Sequence, residues 1–201
     1  MQQILFATGN QAKVKRFSAK LSKKGIEILT LMDLGIYLDV VEDGKDAIVN
    51  ALIKARAYYR ETGMVVIAMD DNLYIEGIPE EKQPGMYVRR VNGKKLNDNE
   101  MIEYYSKLAS EYGKNGKLIC RWIYGMALIK DGKEYTYTWQ KNDFYLVDQP
   151  SNIINPGYPL NTISVNKKLN KYFTDLTEKD KQTIQEDESD VIEFITRNVL
   201  N

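Results

Sequence analysis

The sequence has no histidine and a single cysteine, Cys120. Without histidine there is no Ser-His-Asp triad, no imidazole acid–base catalysis and no His-ligated zinc. One cysteine excludes an internal disulfide, and a catalytic thiol would lack its usual imidazole partner. Cys120 sits in Leu118-Ile119-Cys120-Arg121-Trp122-Ile123, a strand-like run in which a small buried hydrophobe is expected. Excess charge of one sign is also missing, since Lys plus Arg and Asp plus Glu each number 28. The bulk basic field of a non-specific nucleic-acid binder is therefore absent, and no nucleic-acid partner is expected. No apolar run reaches the roughly 18 residues of a membrane span. Met1-Gln2-Gln3-Ile4-Leu5-Phe6 enters a strand directly, without a basic region and apolar signal core, so a cytoplasmic location is expected. The chemistry left open is that of carboxylates, lysines, tyrosines and a hard metal ion.

What is present is ordinary globular composition, 43% hydrophobic and 28% charged over 201 residues. Ile4 to Ala7 reads as a buried parallel strand. Gln11 to Lys24 reads as a helix whose stripe is Val14, Phe17 and Leu21, stopped by Gly25. Ile26 to Leu31 is a second strand, completing a strand–helix–strand unit. Asp46 to Thr62 is the clearest helix, with Ile48, Leu52, Ala55 and Tyr59 as its apolar stripe and Gly63 closing it. Met64 to Met69 is a central strand with Asp70-Asp71 at its carboxyl end, and Leu73 to Ile75 a small strand after it. Glu76 to Lys95 reads as loop. Asp98 to Tyr112 reads as a helix with Ile102, Tyr105, Leu108 and Ala109 inward. Lys117 to Lys130 and Glu134 to Val147 are β-rich, joined by an Asp131-Gly132 hairpin signal. Gln149 to Pro159 is loop, and two short helices, 177–185 and 188–200, follow. The pattern predicts an α/β fold: one elongated domain over residues 1–201, with two lobes around a central mixed β-sheet flanked by helices and a cleft between the lobes. Tyr104, Tyr105, Trp122 and Trp139 fit core or strand-pair positions better than an interface.

Three groups of residues can carry chemistry. At Thr8-Gly9-Asn10-Gln11-Ala12-Lys13 a strand ends and a helix begins, so free amides and the positive end of the helix dipole make an anion site. Lys13 and Lys15 in the first turn favour that reading, while an ordinary turn capped by Asn10 is the alternative. The pattern is not a Walker motif, because its second glycine and Gly-Lys-Ser/Thr ending are missing. Glu42-Asp43 before a helix and Asp70-Asp71 at a strand end are of the type that holds Mg²⁺ in α/β phosphoryl enzymes, or they are solvated charges. Lys54 and Arg56 lie off the apolar stripe, where a solvated face is the default. Pro84-Gly85-Met86-Tyr87-Val88-Arg89-Arg90 is a phosphate or sugar clamp, or a basic loop.

Taken in order, these segments resemble the inosine triphosphate pyrophosphatase family along nearly the whole chain. The matching stretches are Ala7-Thr8-Gly9-Asn10 with Lys13, Asp33-Leu34-Gly35 with Glu42-Asp43-Gly44, and Asn50-Ala51-Leu52-Ile53-Lys54-Ala55-Arg56. Ala68-Met69-Asp70-Asp71-Asn72-Leu73 and Pro84-Gly85 with Tyr87 and Arg90 complete the set. The resemblance implies Mg²⁺-dependent hydrolysis of a nucleoside triphosphate to the monophosphate and pyrophosphate. By the same resemblance Thr8, Gly9, Asn10 and Lys13 hold phosphates, and Lys54 contacts the phosphate chain. Glu42 and Asp70 serve the metal, and Asp70 activates water. Asp71, Tyr87, Arg90 and Lys181 are further substrate contacts, and a homodimer is the expected assembly.

The chain also departs from the family pattern. Met69 replaces the first aspartate of a pair, and Val49 stands in place of a glutamate. Asn155-Pro156-Gly157-Tyr158-Pro159-Leu160 replaces a Gly-Phe-Gly-Tyr-Asp-Pro segment, with Pro156 at the base-stacking position. Gln185-Glu186-Asp187 stands where the family has Ser-His-Arg. Two donors become two carboxylates, which accept hydrogen bonds and repel a carbonyl oxygen, so the preference for inosine or xanthine is expected to change. A non-catalytic nucleotide- or partner-binding descendant is the rival reading, and another phosphatase activity is the third.

Overall fold

Pairing of short apolar runs lays down a sheet, and helix caps fix where the chain leaves it. In the computed structural model, residues 1–184 and 188–201 are described. Gln185-Glu186-Asp187, on which part of the altered base reading rests, lies outside the described residues. The strands are β1 (Gln2–Phe6), β2 (Ile26–Thr30), β3 (Val66–Ile75), β4 (Arg90–Val91), β5 (Lys94–Lys95), β6 (Lys117–Lys130), β7 (Lys133–Lys141), β8 (Phe144–Val147) and β9 (Ser164–Asn166). The α-helices are α1 (Gln11–Ser22), α2 (Leu31–Leu34), α3 (Ala47–Thr62), α4 (Asp98–Tyr112), α5 (Glu178–Thr183) and α6 (Ser189–Leu200). Seven strands form one sheet in the order β2-β1-β3-β6-β8-β9, with β7 paired to β6. β1 runs parallel to β2 and β3, whereas β8 runs antiparallel to β6 and β9. The fold is thus α/β with a mixed sheet and helices, as the sequence predicts.

The chain divides into two compact units, and each is assembled from separated stretches. The first comprises Met1–Asp71, Tyr124–Trp139 and Asp187–Asn201; the second comprises Asn72–Ile123 and Gln140–Glu186. In the first unit α1 buries Val14, Phe17 and Leu21, the predicted stripe, and Phe17 meets Phe6 edge to face at 6.1 Å. The stripe of α3 differs from expectation. Its buried residues are Ala47, Asn50, Ala51, Ala55 and Tyr58, while Ile48, Leu52 and Tyr59 are half-buried. The cause is close approach: a Cβ on Gly125 of β6 would lie 2.6 Å from the Ile48 amide nitrogen. Small residues face that contact, and the larger ones pack along its flanks.

In the second unit α4 buries Met101, Ile102, Tyr105, Leu108 and Ala109 against Leu73, Ile75, Leu118, Cys120, Phe144 and Leu146. Tyr104 meets Tyr105 edge to face at 5.1 Å, and Trp122 packs against this core. In the first unit Trp139 stacks on Tyr124 at 5.0 Å. Burial pushes the Cys120 thiol up to about 12, so it stays protonated and inert.

Three further expectations are corrected. Residues 66–75 form one strand, so Asp70-Asp71 lies within β3 rather than at its end. The 76–95 loop contains the β4–β5 hairpin, whose Asn92 and Gly93 both take positive φ, 50° and 78°. The 134–147 segment is broken into β7 and β8 at Asn142-Asp143. The hairpin at Asp131-Gly132 forms as predicted, with φ of 50° and 72°. Among the described residues no helix is long and apolar enough to cross a membrane. Gly125→Ala is expected to lower stability by about 1–3 kcal/mol, because the new methyl meets backbone that cannot yield cheaply. Chemical denaturation followed by far-UV circular dichroism measures it, and an unchanged midpoint would contradict the close α3–β6 contact.

Candidate active site

The site residues of the first unit meet because β1 stops and its neighbour does not. β1 ends at Phe6 and pairs with β3 only through Leu5↔Val66 and Phe6↔Ile67. The Ala7 amide donates to the Ile67 carbonyl at 2.8 Å, so β3 runs on beside the turn that leads into α1. Side chains alternate along a strand. Val66 and Ala68 pack in the cluster that contains Ala51 and Ala55 of α3. Asp70, two residues further on, therefore turns toward α3, and Asp71 turns the other way. The ion pairs follow this sorting: Asp70 Oδ2 lies 3.8 Å from Lys54 Nζ of α3, and Asp71 Oδ1 accepts from Lys13 Nζ of α1. Met69 is buried on the same face as Asp71, so a core methionine and a site carboxylate share one side of β3.

Lys54 is not on a solvated face. Its side chain is 14% exposed, and Nζ donates to Glu42 Oε2 at 2.6 Å while lying near Asp70. Glu42 is presented by a loop fixed to α3: the Gly44 amide donates to Asn50 Oδ1 at 2.8 Å. A Cβ on Gly44 would sit 2.6 Å from that oxygen, so the turn is held close against the helix. Asn50 is thus a buried positioning residue that sequence reasoning missed. It lies off the predicted Ile48-Leu52-Ala55-Tyr59 stripe, and its signal in the sequence is its place at the head of the family-like stretch Asn50 to Arg56. Arg56, in contrast, makes a bidentate pair with Glu134 at 2.7 Å on the surface and takes no part in this group.

The Thr8–Lys13 turn has the features of an anion site. Asn10 Oδ1 caps the Ala12 amide at 2.9 Å, and Thr8 Oγ1 accepts from the Asn10 amide at 3.1 Å. The first turn of α1 has no acidic residue. Among the described residues, no hydrogen bond engages the Gln11 and Lys13 amides. Gly9 is exposed, and a Cβ there would meet nothing within 4 Å. The chain's own packing therefore does not demand this glycine.

Burial raises the Asp70 carboxyl above the ordinary carboxylate range. Lys54, Lys13 and the Asp71 amide oppose that shift, and the charge on Glu42 adds to it. The nearby ammonium groups alone would lower the value, so desolvation wins. Among the described residues no three acidic or thiol side chains gather into a metal cage. Two carboxylates, Asp70 and Glu42, flank Lys54. That donor set does not fit zinc or calcium, but it fits Mg²⁺, which takes one or two carboxylates and fills its shell with water and substrate phosphate.

Tyr87, Arg90 and Lys181 belong to the second unit and are not part of the group just described. Tyr87 is exposed at a turn whose amides run from Tyr87 to Pro84 and from Arg90 to Tyr87. Gly85, with φ 51°, exchanges both backbone hydrogen bonds with Leu73 and so ties this loop to β3. Lys181 pairs with Glu178 on its own short helix at 2.6 Å. The loop at 155–158 closes through a bond from the Tyr158 amide to the Asn155 carbonyl.

The sequence profile of the Ham1 family matches residues 4–189. The chain belongs to that family. Among its relatives, the dITP/XTP pyrophosphatase of Bacillus licheniformis is 28% identical over 158 residues, 79% of either chain. That of Bacillus subtilis is 27% identical over 186 residues, covering 92% of this chain and 90% of the relative. That of Vibrio parahaemolyticus is 39% identical over 103 residues, a match that spans about half of each protein, 51% of this chain and 50% of the relative. The Ham1 protein structure from Staphylococcus aureus superposes with a TM-score of 0.74 at 20% identity, over 98% of this chain and 100% of its own. A HAM1 protein from Coxiella burnetii gives 0.74 at 19%, over 100% and 99%. At these identities the structural likeness establishes the Ham1 fold.

The raised carboxyl has a consequence for stability. A carboxylate whose folded pKa lies above its unfolded value costs stability as pH rises from the unfolded pKa through the folded one, and that cost remains at neutral pH. Asp70→Asn removes the charge at nearly constant shape. Its thermal midpoint at pH 7 is expected to equal or exceed that of the wild type, with the difference vanishing near pH 3. Thermal denaturation across that range checks this; a clearly lower midpoint at pH 7 contradicts it.

Proposed function

We propose that this chain, by family a nucleoside-triphosphate pyrophosphatase and thus a hydrolase of acid anhydrides, cleaves a nucleoside triphosphate to the monophosphate and pyrophosphate. The reading includes Mg²⁺ dependence and a base preference altered from inosine and xanthine. One observation carries it: Asp70 and Lys54, half-buried and side by side, stand on neighbouring elements with Glu42 at the same ammonium. The names of the relatives, dITP/XTP pyrophosphatases, support the reaction class. The altered base preference is supported by Pro156 and the 185–187 sequence alone.

The roles follow from the chemistry of each group. The free amides of Gln11 and Lys13 and the Lys13 ammonium bind phosphate oxygens at the positive end of α1. Lys54 balances charge on the phosphate chain. Asp70 and Glu42 would hold Mg²⁺, whose charge offsets that developing on the phosphate oxygens. Asp70 also takes a proton from the attacking water, and its raised pKa makes it a stronger base than a solvated carboxylate. Asp71 holds Lys13 in place before the phosphates arrive. Tyr87, Arg90 and Lys181 are further substrate contacts in this reading. A homodimer remains the expected assembly.

The test is a pyrophosphate-release panel of canonical and modified triphosphates with and without Mg²⁺. Turnover is expected for at least one, abolished by chelation and restored by Mg²⁺. Asp70→Asn should lower kcat by about 10²–10⁴-fold. Thermal stabilisation by triphosphates without any turnover would overturn the reading in favour of a binding protein, and release of orthophosphate would overturn it in favour of another phosphatase. Gly9→Ala should fold with an unchanged midpoint, since its surroundings are open, yet raise KM about tenfold by crowding the amides. An unchanged KM in this variant would remove Gly9 from the phosphate site.

A further inference from the structure

We infer that Asp98 is a positioning residue that joins the loop carrying Tyr87 and Arg90 to the loop around Gly157, and so sets the edge of the second unit on which those proposed substrate contacts stand. The role assigned to that edge rests on the pyrophosphatase reading. The joint itself is a matter of geometry. Asp98 Oδ1 accepts from Arg89 Nη1 at 2.7 Å, and Oδ2 accepts from the Gly157 amide at 2.9 Å. Two loops distant in sequence therefore converge on one carboxylate, each using its own oxygen. The Gly157 amide and the Arg89 guanidinium hold the Asp98 carboxyl below the usual range, so it is ionised at neutral pH and both bonds are charge-assisted.

Asp98 is not needed for the tasks usually given to a residue at a helix start. The end of α4 is already capped by Asn97, whose Oδ1 accepts from the Glu100 amide at 2.9 Å while Glu100 Oε2 accepts from the Asn97 amide at 2.8 Å. Nor is Asp98 part of the core, since its side chain is 31% exposed and its ion pair with Arg89 is of the surface kind that adds little stability. What it does control is the placement of the Arg89 guanidinium and the path of the Gly157 backbone. Arg89 lies beside Arg90 and two residues after Tyr87, and the backbone there is already pinned by Tyr105 Oη donating to the Val88 carbonyl at 2.8 Å and the Leu96 amide donating to the Arg89 carbonyl at 2.8 Å. Gly157, with φ 80°, stands at the centre of the 155–158 turn. Releasing Asp98 frees the Arg89 guanidinium, beside Tyr87 and Arg90, and the middle of the 155–158 loop while leaving α4 in place.

Steady-state kinetics of full-length variants test this, with the best substrate of the wild-type panel and with inorganic tripolyphosphate as a competitor that has no sugar or base. Asp98→Ala is expected to raise KM about tenfold or more, the cost of losing a hydrogen bond to a charged group, with kcat within about threefold of wild type. The inhibition constant of tripolyphosphate should not change, because the phosphate residues of the first unit are untouched. Arg89→Gln should raise KM less, and should add little on top of Asp98→Ala, as expected for groups that act through one another. An unchanged KM in Asp98→Ala overturns the proposal, as does a KM that rises together with the tripolyphosphate constant. If Asp98→Ala fails to fold, an unchanged KM in Arg89→Gln overturns it. A wild-type chain that turns over no triphosphate overturns the pyrophosphatase reading and this proposal with it; turnover with KM indifferent to both substitutions overturns this proposal alone.

Discussion

The first unit is organised around a carboxylate that its surroundings disfavour. Asp70 is half-buried, and removal from water raises its pKa despite two lysines nearby. A buried charge of this kind persists when cations and amides surround it, and here those come from three separate elements: Lys54 on α3, Lys13 on α1, and the amide of Asp71 on β3. Each of those elements is in turn placed by apolar packing: Phe17 against Phe6 for α1, and the alanine face of α3 against β1 and β3. Ordinary core packing thus supports a charge cluster that contributes little to stability itself.

Period-two alternation along β3 then divides the labour. Consecutive aspartates point to opposite faces, so one meets α3 and the other α1. A single residue of register would exchange their partners. The departure of Met69 from the family pattern is accommodated in the same way. It lies in the core on the face that Asp71 shares, where a methionine packs well and a carboxylate would need a partner.

Much of the site was legible in the sequence because its parts are local. The Asn10 cap, the strand–turn–helix at Thr8–Lys13, and the boundaries of α3 and α4 are each set by residues within a few positions of one another. Asn92-Gly93 was equally local, a two-residue turn whose two positive φ values its residue types favour, and it could have been read as a hairpin. Other features were not legible for the opposite reason. The burial of Lys54 depends on where α3 lies, not on the pattern of its stripe, and α3 rests where Gly125, far along the chain, leaves room. Asn50 and Asp98 look like ordinary polar residues until the loops they hold are in place.

The sequence by itself determined which chemistry was available: no imidazole, no disulfide, no basic field, and an ordered set of lysines and carboxylates beside a phosphate-type turn. It also determined most helices and strands, because their signals are periodic and short-range. Only the tertiary structure decided which carboxylate serves which lysine, that β3 continues past the end of β1, and that Lys54 is enclosed rather than solvated. Those outcomes depend on where one strand ends beside another and how closely a helix approaches a sheet. Both are set by contacts between residues tens of positions apart, which no local pattern contains.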